Sequence, residues 1–326
     1  MKLFKLYKNR IIKGLLLVFL ASMLLFPGAS YKGASSGLLL WFHNVLPNLL
    51  PFIIISNLMV RLDITRQISR IFHPVLGRLL HISQAGCYPV VIGFLSGIPM
   101  GAKSTADLIA ENKLSKREGQ FLFSMCNNAS PMFIIGYISI TQLKLQNISY
   151  VLFAVIYGSA IVSALLCRQF FPDKGKAYAN GLSGSTSPVR GKALSNRFSF
   201  ELLDSSILNG FEIVTKIGGY IILFSILAQI IKEIGPETGF IKAFLMGTLE
   251  ITTGINQICS SGLDSSIKIV LVSVLTSFGG FSGIAQTKSV LGDTGLSIKS
   301  YIIVKLISAV IAMIFALLYV ALIPVH

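Results

Sequence analysis

The chain has 326 residues, of which 53% are hydrophobic and only 13% are charged, and its mean hydropathy is +0.74. Soluble globular domains carry about 25% charged residues, so this composition excludes an ordinary soluble enzyme, a disordered regulator and a fibrous repeat. The net charge of +15 would suggest nucleic acid if the protein were soluble. In a membrane protein the same excess marks cytoplasmic loops, and we therefore predict no nucleic-acid partner.

The N-terminal segment is basic and then apolar. Five Lys and Arg residues lie within the first 13 positions, and Ser22 is the single polar residue of 14–27. This pattern fits a signal peptide or a retained span, and the lack of a clean A-x-A site favours the span. We assign residues 1–36 to a membrane span and a following loop, with the N-terminus in the cytoplasm because of its basic residues.

Further apolar runs have lengths close to the ~20 residues that an α-helix needs to cross a bilayer. The sequence therefore predicts an all-α polytopic membrane protein with two related helical halves, residues 37–171 and 201–326. We interpret the Gly/Ser-rich basic stretch 172–200 as a cytoplasmic linker between them. Two runs, 87–110 and 267–290, contain glycine and proline or repeated glycine, and we predict a re-entrant or broken hairpin in each. The runs predicted to be continuous are 37–60, 121–140, 148–171, 207–231, 241–258 and 298–325.

The two interrupted runs share a short motif. Residues 93–103 read GFLSGIPMGAK and residues 278–288 read FGGFSGIAQTK, so each has Ser-Gly-Ile followed by a lysine. Irregular backbone survives within a membrane only where protein or water surrounds it, and matching interruptions in two halves indicate a transporter site near the midplane. The alternative is that these glycines only allow close helix packing.

The lysines of the motif, Lys103 and Lys288, are the strongest candidates for substrate binding. A lysine at membrane depth costs about 3 kcal/mol unless it is paired or faces water. Two such lysines would suit a substrate with two negative groups, whereas the alternative is that both side chains extend to the membrane interface. The predicted substrate-binding residues are Ser96, Gly97, Pro99, Gly101, Lys103, Asn127, Asn128, Ser130, Ser282, Gly283, Gln286 and Lys288.

Two acidic residues, Asp107 and Glu250, lie inside apolar runs. Glu250 lies within the run 241–258, and we predict that it couples an ion together with Thr252, a structural ion pair being the alternative. Asp107 follows Lys103 by four residues, a spacing that predicts a local ion pair on one helix face.

The cysteine and histidine spacing does not favour catalytic or metal chemistry. Cys87, Cys126, Cys167 and Cys259 form no CxxC pair, and we predict buried free thiols. No nucleophile–base pair stands out either, so we predict neither an enzyme nor a cofactor or metal site.

Three segments resemble the sporulation integral membrane proteins of the YlbJ type: residues 93–103, 126–131 (CNNASP) and 281–286 (FSGIAQ). The resemblance extends over roughly residues 38 to 325 without the linker, and it implies two nucleoside-recognition Gate domains. It also implies a multi-pass protein of the membranes around the forespore, which moves dipicolinate from the mother cell towards the forespore. Ile98 departs from the family, whose members often have an aromatic residue there.

The leading hypothesis is therefore a transporter in a bacterial membrane that moves a small anionic, dipicolinate-like dicarboxylate. One alternative is a nucleoside transporter coupled to Na⁺ or H⁺, because nucleosides need amides and carboxylates more than lysines. Another is a membrane scaffold for spore assembly that transports nothing. In each case we expect contact with the lipid bilayer, and the sequence leaves open whether the protein forms a homo-oligomer.

Overall fold

The structure is a computed structural model, and it describes residues 2–62, 64–170, 198–234 and 239–323. Within these ranges the chain is helical and has no strand, which confirms the all-α class. Most of the basic linker predicted at 172–200 lies outside the described residues. The helices are α1 (Lys2–Leu25), α2 (Pro27–Leu40), α3 (Leu46–Arg61), α4 (Thr65–Leu80), α5 (Cys87–Ser96), α6 (Met100–Ala110), α7 (Lys116–Cys126), α8 (Ser149–Cys167), α9 (Phe200–Ile234), α10 (Gly239–Leu249), α11 (Ile251–Cys259), α12 (Ser265–Phe278), α13 (Gly280–Val290) and α14 (Ile298–Leu322), with a π-helix at Trp41–Val45 and another at Phe133–Leu143.

Several helical stretches of the described chain are long and apolar enough to cross a bilayer, which confirms a polytopic membrane protein. Four stretches qualify alone, and a fifth qualifies if two helices bent by 104° at Phe26 count as one span. Large apolar side chains on the outside of α14, such as Ile303 and Val310, are more than half exposed and imply contact with lipid. The candidate spans are Gln146–Phe170, Phe200–Ile234, Ser265–Val290, Ile298–Leu322 and the pair Lys13–Leu25 with Pro27–Val45.

The prediction of a loop after the first span is wrong, because α2 begins at Pro27 and continues to Leu40. Small residues four apart form the face of α2 that meets α9. A Cβ atom on Gly33 would lie 2.7 Å from the Cα of Ile226, and one on Gly37 would lie 2.9 Å from the Cα of Ile222. Glycine at this spacing allows two helix backbones to approach closely, so it promotes helix packing here instead of a loop.

The two halves contain the same order of elements. Each has a hairpin of two short helices that pack on each other, then an interrupted span, then a long helix. The first half uses α5–α6, α7 with Phe133–Leu143, and α8. The second half uses α10–α11, α12–α13 and α14. The two Ser-Gly-Ile motifs do not occupy corresponding elements of the two halves. Residues 96–98 lie at the tip of the first hairpin, whereas residues 282–284 lie inside α13.

Each half has one turn within its hairpin and one break within its interrupted span. The first turn is residues 97–99 between α5 and α6, and the first break is residues 127–130 after α7. The second turn is Glu250 between α10 and α11, and the second break is Gly279 between α12 and α13.

Two of these points were not predicted, because the runs 121–140 and 241–258 were expected to be continuous spans. Polar side chains replace the missing helical hydrogen bonds at both. Asn128 donates to the carbonyl of Met125 over 2.6 Å, and the carboxylate of Glu250 accepts from the amides of Thr252 and Thr253. Average hydropathy does not register such local pairing, so the runs look continuous in sequence. The run 267–290, in contrast, is interrupted only at Gly279, and it still qualifies as a span.

Candidate functional site

A cavity of about 510 Å³ lies where the two turns and the two breaks meet. Ile98 lines it from the first turn and Ser130 from the first break. Glu250 lines it from the second turn and Gly279 from the second break. Sites for small molecules have volumes of about 300–1,000 Å³, so this cavity is large enough for a metabolite.

Half of the predicted site residues line this cavity, and the other half do not. Those in the lining are Ser96, Ser130, Ser282, Gly283, Gln286, Glu250 and Thr252. Those outside the lining are Gly97, Pro99, Gly101, Lys103, Asn127, Asn128 and Lys288.

Ser96, the last residue of α5, presents a hydroxyl that lacks a partner. The residue is 3% exposed and lines the cavity, and its Oγ forms no hydrogen bond. In the described part of the chain one other buried side-chain atom shares this state, the Oγ of Ser273. An unpaired buried polar group costs about 1–3 kcal/mol, so a ligand that bonds to Ser96 would recover that energy.

The glycines beside the first turn have a packing role in the structure. A Cβ atom on Gly97 would lie 2.5 Å from the amide nitrogen of Ser130, and one on Gly101 would clash with the carbonyl oxygen of Cys126. Gly97 also has a φ of +79°, which favours glycine. At these two positions the geometry is that of close packing, which was the alternative to a binding role.

Asn127 and Asn128 join the two halves behind the cavity wall. Asn127 donates to Thr287 Oγ1 over 2.8 Å and to the Tyr301 hydroxyl over 3.0 Å. Its own Oδ1 accepts the amide of Ala102 over 3.3 Å. The side chain of Asn127 thus connects the first hairpin with α13 and α14, and both asparagines are buried.

The two lysines of the motif lie outside the cavity. Lys103 is buried and forms an ion pair with Asp107 at 2.6 Å, which confirms the local pair predicted from their spacing. Lys288 is exposed at the C-terminal end of α13. The structure therefore does not place the two ammonium groups around a common ligand space.

Glu250 has an extended backbone, with φ −141° and ψ 113°, and caps the N-terminus of α11. Its carboxylate accepts from the Thr252 amide at 3.1 Å, the Thr253 amide at 2.7 Å and the Thr253 hydroxyl at 2.8 Å. The residue is only 3% exposed. The lining therefore includes a carboxyl group whose oxygens accept three hydrogen bonds, while its proposed coupling to an ion stays a prediction.

The start of α13 presents the opposite electrostatic character. This helix begins at Gly280 after the second break and has no side-chain cap. Gly279 and Gly280 have φ values of +84° and +67°, which residues with a side chain rarely adopt. Gly279, Ser282 and Gly283 line the cavity, so the positive end of the α13 dipole adjoins the ligand space. Uncapped helix N-termini of this kind bind anions.

Lys305 on α14 is fully buried, and it was not among the predicted site residues. Its Nζ donates to the Oδ1 of Asn128 over 2.8 Å. A helical stripe of small and polar residues at positions 301, 305, 308 and 312 could have identified this buried face of α14. Tyr137, which lines the cavity and bonds to the carbonyl of Thr252 at 3.4 Å, was also missed.

The described residues contain no group of three or more His, Cys, Asp or Glu side chains that could hold a metal ion. All four cysteines are free thiols, as predicted, and three of them are buried. The absence of catalytic activity stays a prediction.

The chain is similar to a curated protein, the sporulation integral membrane protein YlbJ of Bacillus subtilis (strain 168). The two are 25% identical over 334 aligned positions, which cover 94% of this chain and 82% of that protein. No protein-family model matches the chain, and no solved structure matches it. The apolar helices show that the protein is an integral membrane protein, and the relative is named for sporulation. The Gate domains and their boundaries at 37–171 and 201–326 stay predictions.

Proposed function

We propose that this protein is a membrane transporter that acts in sporulation and moves a small dicarboxylate of the dipicolinate type. The observation that supports transport most directly is the meeting of two turns and two breaks at one cavity. Hydrocarbon cannot pair free backbone groups, so helix interruptions at membrane depth are retained where they line a site. Paired interruptions in two halves are typical of secondary transporters.

An anionic substrate is supported by donors that adjoin the cavity. The uncapped N-terminus of α13 and the unpartnered hydroxyl of Ser96 both adjoin the ligand space. Carboxylates accept hydrogen bonds from backbone amides and hydroxyls, and a helix dipole adds to the attraction. This arrangement takes the place of the two-lysine hypothesis, because Lys103 and Lys288 lie elsewhere.

The role in sporulation is supported by the likeness to YlbJ, which is named for it. Dipicolinate, a forespore membrane and a cytoplasmic N-terminus come from the sequence resemblance and from the basic residues near the N-terminus. They complete the proposal: the carrier would supply the developing spore with a dicarboxylate made in the mother cell.

A second candidate is a nucleoside transporter coupled to Na⁺ or H⁺. The lining supports it in one respect, since no Lys or Arg among the described residues lines the cavity. Glu250, Gln286 and Asn44 do line it, and such side chains suit neutral polar solutes.

Uptake into proteoliposomes tests these proposals. The purified full-length protein would be reconstituted and supplied with labelled dipicolinate or labelled uridine, with protein-free liposomes as the control. We expect saturable dipicolinate uptake that unlabelled dipicolinate inhibits and uridine does not. Uridine uptake driven by a cation gradient would support the second candidate instead. Uptake of neither solute would contradict transport and favour the scaffold.

A further inference from the structure

Lys305 is a buried lysine that lies outside the cavity lining. The residue is 0% exposed, and its Nζ lies 6.0 Å from the centre of the Tyr301 ring. Among the described residues, Asn128 Oδ1 is the acceptor recorded for its ammonium group, and no carboxylate forms an ion pair with it. An ammonium group has three N–H donors, so the amide satisfies only part of its capacity.

Such a lysine is unusual for a membrane helix. Charged residues within spanning segments are rare because their removal from water is costly, and they normally have a counter-charge or face a functional cavity. Lys103 in the first half follows this rule, since Asp107 neutralises it. Lys305 has no such protein partner in the described chain, so a counter-charge from outside the protein would stabilise it.

The position of Lys305 allows a solute to supply that counter-charge. A Cβ atom on Gly279 would lie 3.9 Å from Lys305 Cε and 3.5 Å from Ile98 Cδ1. Gly279 and Ile98 both line the cavity, whereas Lys305 lies directly behind them. The Lys305 side chain therefore lies next to Gly279, a lining residue without a side chain, and beside the Ile98 side chain.

We propose that Lys305 binds a carboxylate of the transported solute at the second break. The carboxylate would take the place of Asn128 Oδ1 as the acceptor, while the N-terminus of α13 and the Ser96 hydroxyl donate to the same ligand. This inference rests on the proposed function and deepens it, because it names the residue that selects an anionic solute. Lys305 would move little, since its Cε already lies at the glycine.

Binding measurements on the purified full-length protein in detergent test the inference. The probes are pyridine-2,6-dicarboxylate and its neutral diamide, which have similar shapes and differ in charge. We expect Lys305→Met to weaken binding of the dicarboxylate by at least about tenfold, because a charge-assisted hydrogen bond is lost. Binding of the diamide should change less than about twofold. Lys103→Met is the matched control, a buried lysine outside the cavity, and it should leave the ratio of the two affinities unchanged.

Asn128→Asp is the second variant, and it decides the question if Lys305→Met does not fold. It would give Lys305 a permanent carboxylate partner inside the protein. We expect a folded protein that has lost most of its preference for the dicarboxylate. If Lys305 served only to hold the first break in place, the stronger Asp–Lys bond would preserve that preference.

The outcomes separate the inference from the function on which it rests. A wild-type ratio of dicarboxylate to diamide affinity in Lys305→Met, or in Asn128→Asp, would overturn the role of Lys305 and leave the transporter proposal intact. Failure of the wild-type protein to bind the dicarboxylate would overturn the proposed substrate, and the inference with it.

Discussion

The two halves interrupt their helices in the same order, but they satisfy the interrupted backbone in different ways. In the first half, the interrupted backbone is paired and packed within the protein. The Ile98 amide donates to the Asn128 carbonyl over 2.7 Å, and Gly97 and Gly101 pack against the first break. In the second half, α13 begins without a side-chain cap, and Glu250 exposes its capped turn to the cavity. The first turn thus packs against the first break, whereas the second break meets the cavity with an uncapped helix N-terminus, although residues of both halves line the cavity.

The largest effect is expected from a methyl group added beside the packed first turn. Gly101→Ala would force a Cβ atom into the Cys126 carbonyl, which is backbone and cannot rotate away. We expect a loss of about 2–3 kcal/mol of stability, typical of overpacking in a dense interior. Thermal unfolding of the purified protein in detergent measures it.

The control for that substitution lies in the other half. Gly283→Ala would place its Cβ 3.8 Å from Ile98 Cδ1, an ordinary contact. We expect it to unfold at nearly the wild-type temperature. Equal losses of stability in the two variants would contradict the contrast between the packed first turn and the open start of α13.

The next effect concerns the acid of the second turn. Glu250→Gln would remove the negative charge while leaving an oxygen that accepts from the start of α11. If Glu250 couples an ion, uptake by the variant should no longer respond to a Na⁺ or H⁺ gradient imposed on proteoliposomes. Glu212→Gln is the control, since Glu212 is exposed and paired with Lys216 at 2.5 Å on α9. A gradient response retained in Glu250→Gln would show that coupling does not depend on this carboxylate.

The smallest effect is expected at Ser96, which precedes the packed first turn yet lines the cavity without a partner. Ser96→Ala should weaken binding of dipicolinate by about three- to tenfold, the value of one neutral hydrogen bond. Its matched control is Ser273→Ala, which removes the other unpartnered buried hydroxyl from α12 at a position outside the cavity lining. Equal affinities in the two variants would remove Ser96 from the proposed site.

Sequence reasoning was most successful where the physical cause is local. The spacing of Lys103 and Asp107 predicted their ion pair because residues four apart share a helix face. Composition predicted a polytopic helical protein because long apolar runs suit only membrane spans or a large core. The same reasoning failed at residues 27–36, where glycines that looked like a loop instead pack α2 against α9.

The candidate site was only partly accessible in this way. Ser96, Ser282 and Glu250 were predicted and line the cavity, whereas the chosen lysines do not. Lys305 was missed because a lysine in the first turns of an apolar helix looks like a residue near the membrane surface. Its burial depends on α14 packing against the first half, where Asn128 receives its ammonium group.

The sequence alone determined that this chain spans a membrane, that it is helical, and that its apolar segments contain interruptions. These properties follow from hydropathy and from the conformations of glycine and proline, which act over a few residues. Only the tertiary structure decided which interruptions meet, which glycines pack against neighbouring backbone, and which lysine is buried behind the cavity. Those outcomes depend on contacts between residues more than a hundred positions apart, such as Asn127 with Tyr301. No local pattern in the chain encodes such distances.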